Sequence, residues 1–318
     1  MISFIVIGRN EGWKLTKCMQ SVYETIKYNK LTKYEVIYVD SKSTDNSIER
    51  AKAFNDIKIY LITGFYNAAI ARDIGAKESM GDTLFFIDGD MEIQADFLPL
   101  VYYEKDGLKY NFVSGQWINY NYSNDDKLIS KEKYHSENYF DKKRFTTGGL
   151  FLIKRTIWDS VNGMKTKMRR TQDLDIALRL AKKGVFLLRK KELLAIHHTV
   201  PYNEKSRIWK ILIAGDNLYR IVLLRENFFN LYEWKLFLRG NYTFIILLLS
   251  ILFSIMYINP LLIFIYFGSV ILRTLAREKG NLRLLLTNLI YFPIYELSLL
   301  FGFFFFWPKS HPLEYKAI

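Results

Sequence analysis

An α/β fold built on a mostly parallel sheet with helices on both faces, followed by an apolar tail, is what this sequence predicts, and three observations carry that prediction. Before about residue 205 short apolar runs alternate with amphipathic stretches, the pattern of strand-helix units. The runs stop at polar or acidic residues, so one edge of the sheet collects the chemistry. Beyond about residue 240 the composition turns strongly apolar, with long runs interrupted by a charge only at Glu296.

Ser3 to Ile7 reads as a strand buried on both faces, Gly8-Arg-Asn-Glu-Gly12 as the loop at its carboxyl end, and Trp13 to about Ile26 as a helix. Tyr34 to Val39 is a second strand ending in Asp40, and Ser43-Thr-Asp-Asn-Ser-Ile opens a helix with capping residues. Lys58 to Ile62 is a third strand. Asn67 to Gly75 begins a helix that leads into Thr83 to Ile87, a strand that stops at Asp88-Gly89-Asp90. In open α/β sheets ligands bind outside the carboxyl ends of the strands. Two carboxylates one residue apart there can approach a common hard cation, with Gly89 leaving room for it, and such a metal would face a diphosphate.

The 318 residues carry 45 Lys and Arg against 32 Asp and Glu, a net charge of +13. That excess suits nucleic acid or an anionic membrane surface. The membrane is the better match, because Lys205, Arg207, Lys210, Arg220, Arg225, Lys235, Arg239, Arg273, Arg277, Lys279 and Arg283 flank the apolar runs, and no nucleic-acid motif accompanies the charge. Cys18, the single cysteine, excludes an internal disulfide and a cysteine-based zinc cluster. Ile2 to Ile7 is too short and lacks the preceding positive charge of a cleavable signal. The Asn121 and Asn241 tripeptides match the glycosylation pattern but need a lumenal setting that nothing else suggests.

Four stretches, Ile5-Val-Ile-Gly-Arg-Asn-Glu11, Val39-Asp-Ser-Lys-Ser-Thr-Asp45, Ala71-Arg-Asp-Ile-Gly75 and Phe86-Ile-Asp-Gly-Asp90, bring Asn10, Asp40, Arg72, Asp88 and Asp90 to one edge. In that order and spacing they resemble the nucleotide-sugar half of the family 2 glycosyltransferases, inverting enzymes of the GT-A (Rossmann-like) fold. The resemblance implies that Ile7, Gly8, Arg9, Asn10 and Glu11 line the nucleotide and that Asp40 accepts from its base. It implies that Arg72 helps with base or phosphate, that Asp88 and Gly89 meet ribose or metal, and that Asp90 ligates Mg or Mn. Gly8 stands where the family often has proline, and both serve a tight strand exit. Further on, Phe145-Thr-Thr-Gly-Gly-Leu-Phe-Leu-Ile-Lys154 resembles the segment after the donor-sugar pocket, where Gly148 and Gly149 would permit close approach. Trp158 to Met164, with Val161-Asn-Gly163, resembles the helix and turn before the catalytic loop.

Thr171-Gln-Asp-Leu-Asp-Ile-Ala-Leu-Arg179 follows. The family carries an acidic pair where Gln172 and Asp173 stand, and its aspartate is the general base, a role that falls to Asp173. Gln172 is uncharged, so no adjacent carboxylate raises the pKa of that base. The alternative for Asp173 is a helix N-cap. Asp175 and Arg179 form a structural i,i+4 pair. In Ala195-Ile-His-His-Thr199, His197 or His198 would complete the metal site. Adjacent residues on a strand face opposite ways, so at most one of them reaches the metal.

These expectations divide the chain into a GT-A catalytic domain over 1–205, with a nucleotide-binding half at 1–100 and an acceptor half at 101–205. Amphipathic interfacial helices follow at 206–240, and a membrane region of two or three helices at 241–318. Ser206-Arg-Ile-Trp209 departs from the Gln-x-x-Arg-Trp signature of processive synthases, which argues against a polymerising channel. Residues 242 to 272 reach only about 46 Å as helix, against roughly 60 Å for two full crossings, so Asn259-Pro260 turns a thin hairpin or a re-entrant pair. Arg273 to Arg283 reads as a basic loop returning to the cytoplasmic side. The expected activity is metal-assisted, inverting transfer of one sugar from a nucleotide sugar, UDP being the commonest carrier in the family. The acceptor would be lipid-linked or a glycan, at the cytoplasmic face of the inner membrane. The alternatives are transfer to a polyprenyl phosphate and a non-catalytic, basic, membrane-bound binding protein.

Overall fold

The computed structural model describes the backbone of all residues but 124, 135–139, 202–204 and 279–281, and side chains at all but these and 205–208, 277–278 and 282–285. The chain forms two compact units, residues 1–204 with 309–318, and residues 205–308.

In the first unit the strands are β1 (Ile2–Gly8), β2 (Tyr34–Asp40), β3 (Ile57–Ile62), β4 (Thr83–Asp88), β5 (Met91–Ile93), the small hairpin β6 (Tyr102–Tyr103) and β7 (Gly107–Leu108), β8 (Phe112–Tyr122), β9 (Leu128–Lys133), β10 (Lys142–Arg144), β11 (Phe151–Lys154), β12 (Leu187–Thr199) and β13 (Tyr315–Ala317). The helices are α1 (Trp13–Tyr28), α2 (Ser47–Lys52), α3 (Ala68–Glu78), α4 (Arg155–Asp159) and α5 (Gln172–Lys182). The main sheet runs β10-β12-β8-β11-β4-β1-β2-β3-β13, with β5 on β12 and β9 on β8. Its β4-β1-β2-β3 core is parallel, as expected, while β11 and β13 enter antiparallel, so the whole is a mostly parallel mixed sheet.

Alternation along the strands builds two apolar layers. Phe4, Val6 and Phe85 face Leu15, Met19 and Val22 of α1, whereas Ile5, Ile7 and Phe86 face Ile70 and Ile74 of α3. Gly75 is where α3 lies closest to the sheet. A Cβ there would stand 2.2 Å from Ile5 Cγ2. The C-terminal end of α3 is held by Arg155, whose guanidinium donates to the carbonyls of Ala76, Ser79 and Gly81.

The tail departs from expectation. Residues 309–318, assigned by the sequence to the membrane region, belong to the first unit, where β13 pairs with β3 from Tyr315 opposite Ile62 to Ala317 opposite Tyr60. Thr63 N–H donates to Glu314 O at 2.8 Å, His311 N–H to Thr166 Oγ1 at 3.0 Å, and Leu313 and Tyr315 pack on the α3 side of the core. The tail thus satisfies backbone groups that an edge strand would leave open.

The second unit comprises α6 (Lys205–Ile213), α7 (Tyr219–Glu226), α8 (Leu231–Met256), α9 (Ile263–Glu278) and α10 (Leu282–Phe305). The run read as amphipathic over 206–240 is thus broken into two short helices and the start of α8. The side chains of Lys205, Arg207 and Ile208 lie outside the described residues. The helix α8 bends at Asn241, whose φ of −134° and ψ of 30° are not helical. By length and composition α8 and residues 286–305 could each cross a membrane, and residues 260–276 form a shorter apolar helix. Arg273 is not in a loop. It is buried in α9, donates to Thr243 Oγ1 and Gly240 O, and stands 3.6 Å from Glu296, because the two charges that interrupt the apolar helices neutralise one another. Lys279 and the side chains of Arg277 and Arg283 lie outside the described residues.

Replacing Gly75 by Ala forces α3 off β1, and overpacking of this kind costs about 1–3 kcal/mol. Denaturant unfolding of the purified protein should show that loss, and unchanged stability would mean that the helix is free to shift.

Candidate active site

The carboxyl ends of β1 and β4, the glycine turn before β11, the start of α5 and the end of β12 enclose a cleft of about 500 Å³. Of the residues singled out from sequence, Ile7, Gly8, Arg9, Glu11, Arg72, Asp88, Asp90, Gly148, Gly149, Asp173 and His197 line it.

At its floor Arg72, 2% exposed on α3, donates to Asp88 at the end of β4 and, at 3.3 Å, to Gly149 O. A Cβ at 149 would lie 2.1 Å from Asp88 Oδ2 and 2.4 Å from the Arg72 guanidinium, so the glycine is required by this ion pair. Arg72 Nε and Nη1 are buried with no hydrogen-bond partner among the described residues. Two desolvated donors of that kind suit an anionic or carbonyl-rich ligand. Burial raises the Asp88 carboxyl above its usual range against the pull of Arg72.

Asp90 meets His197, not Asp88. His197 Nε2 stands 3.1 Å from Asp90 Oδ2, and its Nδ1–H donates to Asn119 Oδ1 at 2.9 Å. With Nδ1 protonated, a neutral imidazole would turn a lone pair toward the carboxylate, so the contact is favourable only with a proton or a cation between them. Burial pushes the Asp90 carboxyl up, and the His197 hydrogen bond and charge more than offset that, leaving it below its usual range. Two ligand atoms 3.1 Å apart match adjacent positions on an ion bound at about 2.1 Å. Among the described residues no set of three His, Cys, Asp or Glu surrounds one point. An ion here could be held by Asp90 and His197, its other positions falling to ligand oxygens and water.

His198 points the other way. Its Nε2–H donates to Glu92 at 2.8 Å, Nδ1 accepts from Tyr122 Oη at 3.0 Å, and Trp13 packs edge-on at 5.3 Å, so it does not reach Asp90 through its ring. Burial lowers its pKa. Its backbone N–H donates to Asp90 O at 2.9 Å and holds the acidic turn against β12.

Asp40 and Asn10 tie loops and do not line the cleft. Asp40 is fully buried, accepting from Tyr38 Oη at 2.9 Å and Ser43 N–H at 2.7 Å. Asn10, with a left-handed φ of 57°, accepts from Thr44 N–H at 2.7 Å. Gly89 does not line the cleft either, because the space above it is filled by Glu11, whose Cγ would stand 3.1 Å from a Cβ there. Glu11 is pushed up to about 8 by burial and then by Asp90. Arg9 lies over the Tyr66 ring at 4.5 Å.

Opposite the acids stands Asp173, in the first turn of α5. Thr171, with φ 61°, occupies the N-cap position that the alternative reading assigned to Asp173. Asp173 Oδ1 accepts from Leu174 N–H at 3.0 Å. Burial raises its pKa, Arg72 opposing, so its surroundings supply what the uncharged Gln172 does not. Asp175 is buried on Arg179 at 2.7 Å, and Arg179 also holds the carbonyls of Val161 and Gly163. Arg169, Arg170 and the stacked pair Trp117 and Tyr134, 4.6 Å apart, complete the cleft and escaped the sequence reading. Only the basic pair just ahead of Asp173 offered a signal.

The family model for glycosyl transferase family 2 matches residues 3–170. Glycosyltransferase AglE of Haloferax volcanii is 25% identical over 70% of this chain and 77% of its own length. Glycosyltransferase GlyG of Streptococcus pneumoniae is 27% identical over 39% of this chain and 41% of its own. Mannosyltransferase PcManGT of Pyrobaculum calidifontis, solved with GDP-Man and Mn2+, superposes with a TM-score of 0.59 at 13% identity, covering 96% of this chain and 87% of that one, which establishes a shared fold. With more than half of the chain matched and its strand ends gathered on one cleft, the protein belongs to glycosyl transferase family 2 and is a glycosyltransferase that uses a nucleotide-sugar donor.

Proposed function

We propose that this enzyme transfers one sugar from a nucleoside diphosphate sugar to a lipid-linked or glycan acceptor at the cytoplasmic face of the cell membrane, with inversion. One observation supports it above the others: a half-buried carboxylate with a raised pKa, Asp173, shares a cleft with the Asp90 and His197 pair. The acceptor hydroxyl would give its proton to Asp173 as its oxygen bonds the anomeric carbon and the bond to the diphosphate breaks. A single displacement of this kind inverts the centre and needs no acid for so good a leaving group. A divalent cation, Mg or Mn, would be held by Asp90 and His197 and would neutralise charge on the departing diphosphate. Arg72, with its unsatisfied donors, would orient the donor from below.

The neighbour solved with GDP-Man and the family preference for UDP leave the base to be read by assay, in which UDP- and GDP-sugars are screened for metal-dependent hydrolysis. The apolar helices of the second unit and the net charge of +13 support the membrane setting.

Asp173→Asn keeps the size of the side chain and removes the proton acceptor, so transfer should fall by about 10² to 10⁴ while donor affinity stays within a few fold. Transfer at the wild-type rate would instead favour an acceptor with its own phosphate nucleophile, such as a polyprenyl phosphate. The base works only when ionised, and its folded pKa lies above the usual carboxylate range. Wild-type rates should therefore fall as pH drops through a value higher than about 3.9, and a rate flat down to that pH would contradict the burial argument.

Asp90→Ala removes one ligand of the cation, and donor binding by calorimetry should then lose its dependence on Mn2+. Binding that is indifferent to chelator in the unmodified protein would end the metal assignment.

A further inference from the structure

The second unit leaves the first at residue 204 and rejoins it at residue 309. The rejoining segment is integral to the sheet: β13 is hydrogen-bonded to β3, and His311 stacks on Phe65 with ring centroids 3.8 Å apart. One sheet folds on one side of a membrane. Residues 205–308 therefore begin and end on that same side, and any complete crossings must be even in number. Three apolar helices cannot each cross once.

Helix lengths identify the exception. Beyond the bend at Asn241, residues 242–256 of α8 reach about 22 Å, and the 16 residues of α9 about 24 Å, both short of the roughly 30 Å hydrocarbon core. Arg273 of α9 donates to Gly240 O of α8 at 2.7 Å, so the two helices are paired near this bend and diverge toward the 257–262 turn. That turn is not built for water. Ile255, Tyr257 and Ile258 are 71%, 68% and 90% exposed, and no charged residue occurs from 242 to 272. Its backbone donors are satisfied internally: Tyr257 N–H by Phe253 O, Ile258 N–H by Ile255 O, Asn259 N–H by Ser254 O, and Leu261 N–H by the Asn259 side chain. A turn inside hydrocarbon needs that closure, whereas one emerging into water does not.

The mouth of the hairpin is polar. Arg273, Glu296 and Thr243 meet there, with Lys235 and Arg239 just before the bend. The helix α10 starts a few residues after α9 ends and finishes on α7, where Arg225 donates to the carbonyls of Gly302, Phe303 and Phe306. Near its start Asn288 donates to Thr274 Oγ1 of α9 at 3.3 Å, and α7 at its other end packs on Phe237 just before the bend, so both ends lie toward the mouth.

We propose that residues 205–308 are a re-entrant membrane insertion. The α8–α9 hairpin enters from the side that carries the catalytic sheet, turns within the acyl chains at 257–262, and returns. The helix α10 makes no net crossing, and no part of the chain reaches the opposite face. This rests on the membrane location proposed above, and the ligand of the exposed turn is lipid hydrocarbon.

Single cysteines at Lys105, Ile258 and Ile318 test it in full-length protein, with buried Cys18 left in place and the unmodified chain as the labelling blank. In sealed vesicles of both orientations, a membrane-impermeant maleimide should label Lys105→Cys and Ile318→Cys from the same side only. Ile258→Cys should resist it from both sides, and a fluorophore placed there with a permeant reagent should be quenched by brominated lipid. Labelling of Ile258→Cys from the far side, or of Ile318→Cys from the side opposite Lys105→Cys, would overturn the re-entrant arrangement alone. Recovery of the chain in the soluble fraction would overturn the membrane location and this arrangement with it.

Discussion

The ion pair between Arg72 and Asp88 is the contact on which the catalytic cleft depends. It joins α3 to the end of β4, and the glycine turn before β11 closes over it. Removing Asp88 would leave the buried Arg72 guanidinium without its carboxylate, a penalty softened by the 32% exposure of Asp88 on the cleft side. The surrounding geometry inherits that penalty: Gly75 lets α3 lie on β1, Gly149 lets the turn descend, and Arg72 arrives beneath the acids with donors to spare. The motif Ala-Arg-Asp-Ile-Gly is therefore a packing device in its own right.

The strand ends were legible because a buried parallel strand is a continuous apolar run, and its polar stop marks the sheet edge where ligands sit. Which polar group faces the cleft was not legible. Asp40, Asp88 and Asp90 look alike in sequence. The first is consumed by Tyr38 and Ser43, the second by Arg72, and only the third meets an imidazole. The parity of β12 could say that at most one of the two histidines reaches the metal position, but that His197 is the one beside Asp90 required the register that sets it opposite Met91 and Asn119. Nor could the uncharged Gln172 reveal that burial, with the charge of Asp88 adding to it, raises Asp173. The tail was misassigned because β13 spans three residues, too few for any period to show.

In the second unit, hydropathy located the apolar helices but misplaced Arg273, one of the charges they bury. Arg273 looked like the start of a cytoplasmic loop because its partner, Glu296, is far along the chain. Seen together they are one neutral group, with Thr243 between them and aromatic rings around the guanidinium.

The strand β13 also imposes an order on biosynthesis. Its Tyr315 hydroxyl bonds Glu78, a residue 237 positions earlier, with the whole hydrophobic unit between them. On the ribosome, β3 is an open edge throughout the synthesis of residues 205–308, the period in which apolar segments are available to pair with it wrongly. The hydrophobic unit is thus complete in the chain before the sheet can close. A peptide fused after Ile318 would hang from an edge strand of the catalytic domain, a few residues from the ladder that closes it, and not from a membrane helix.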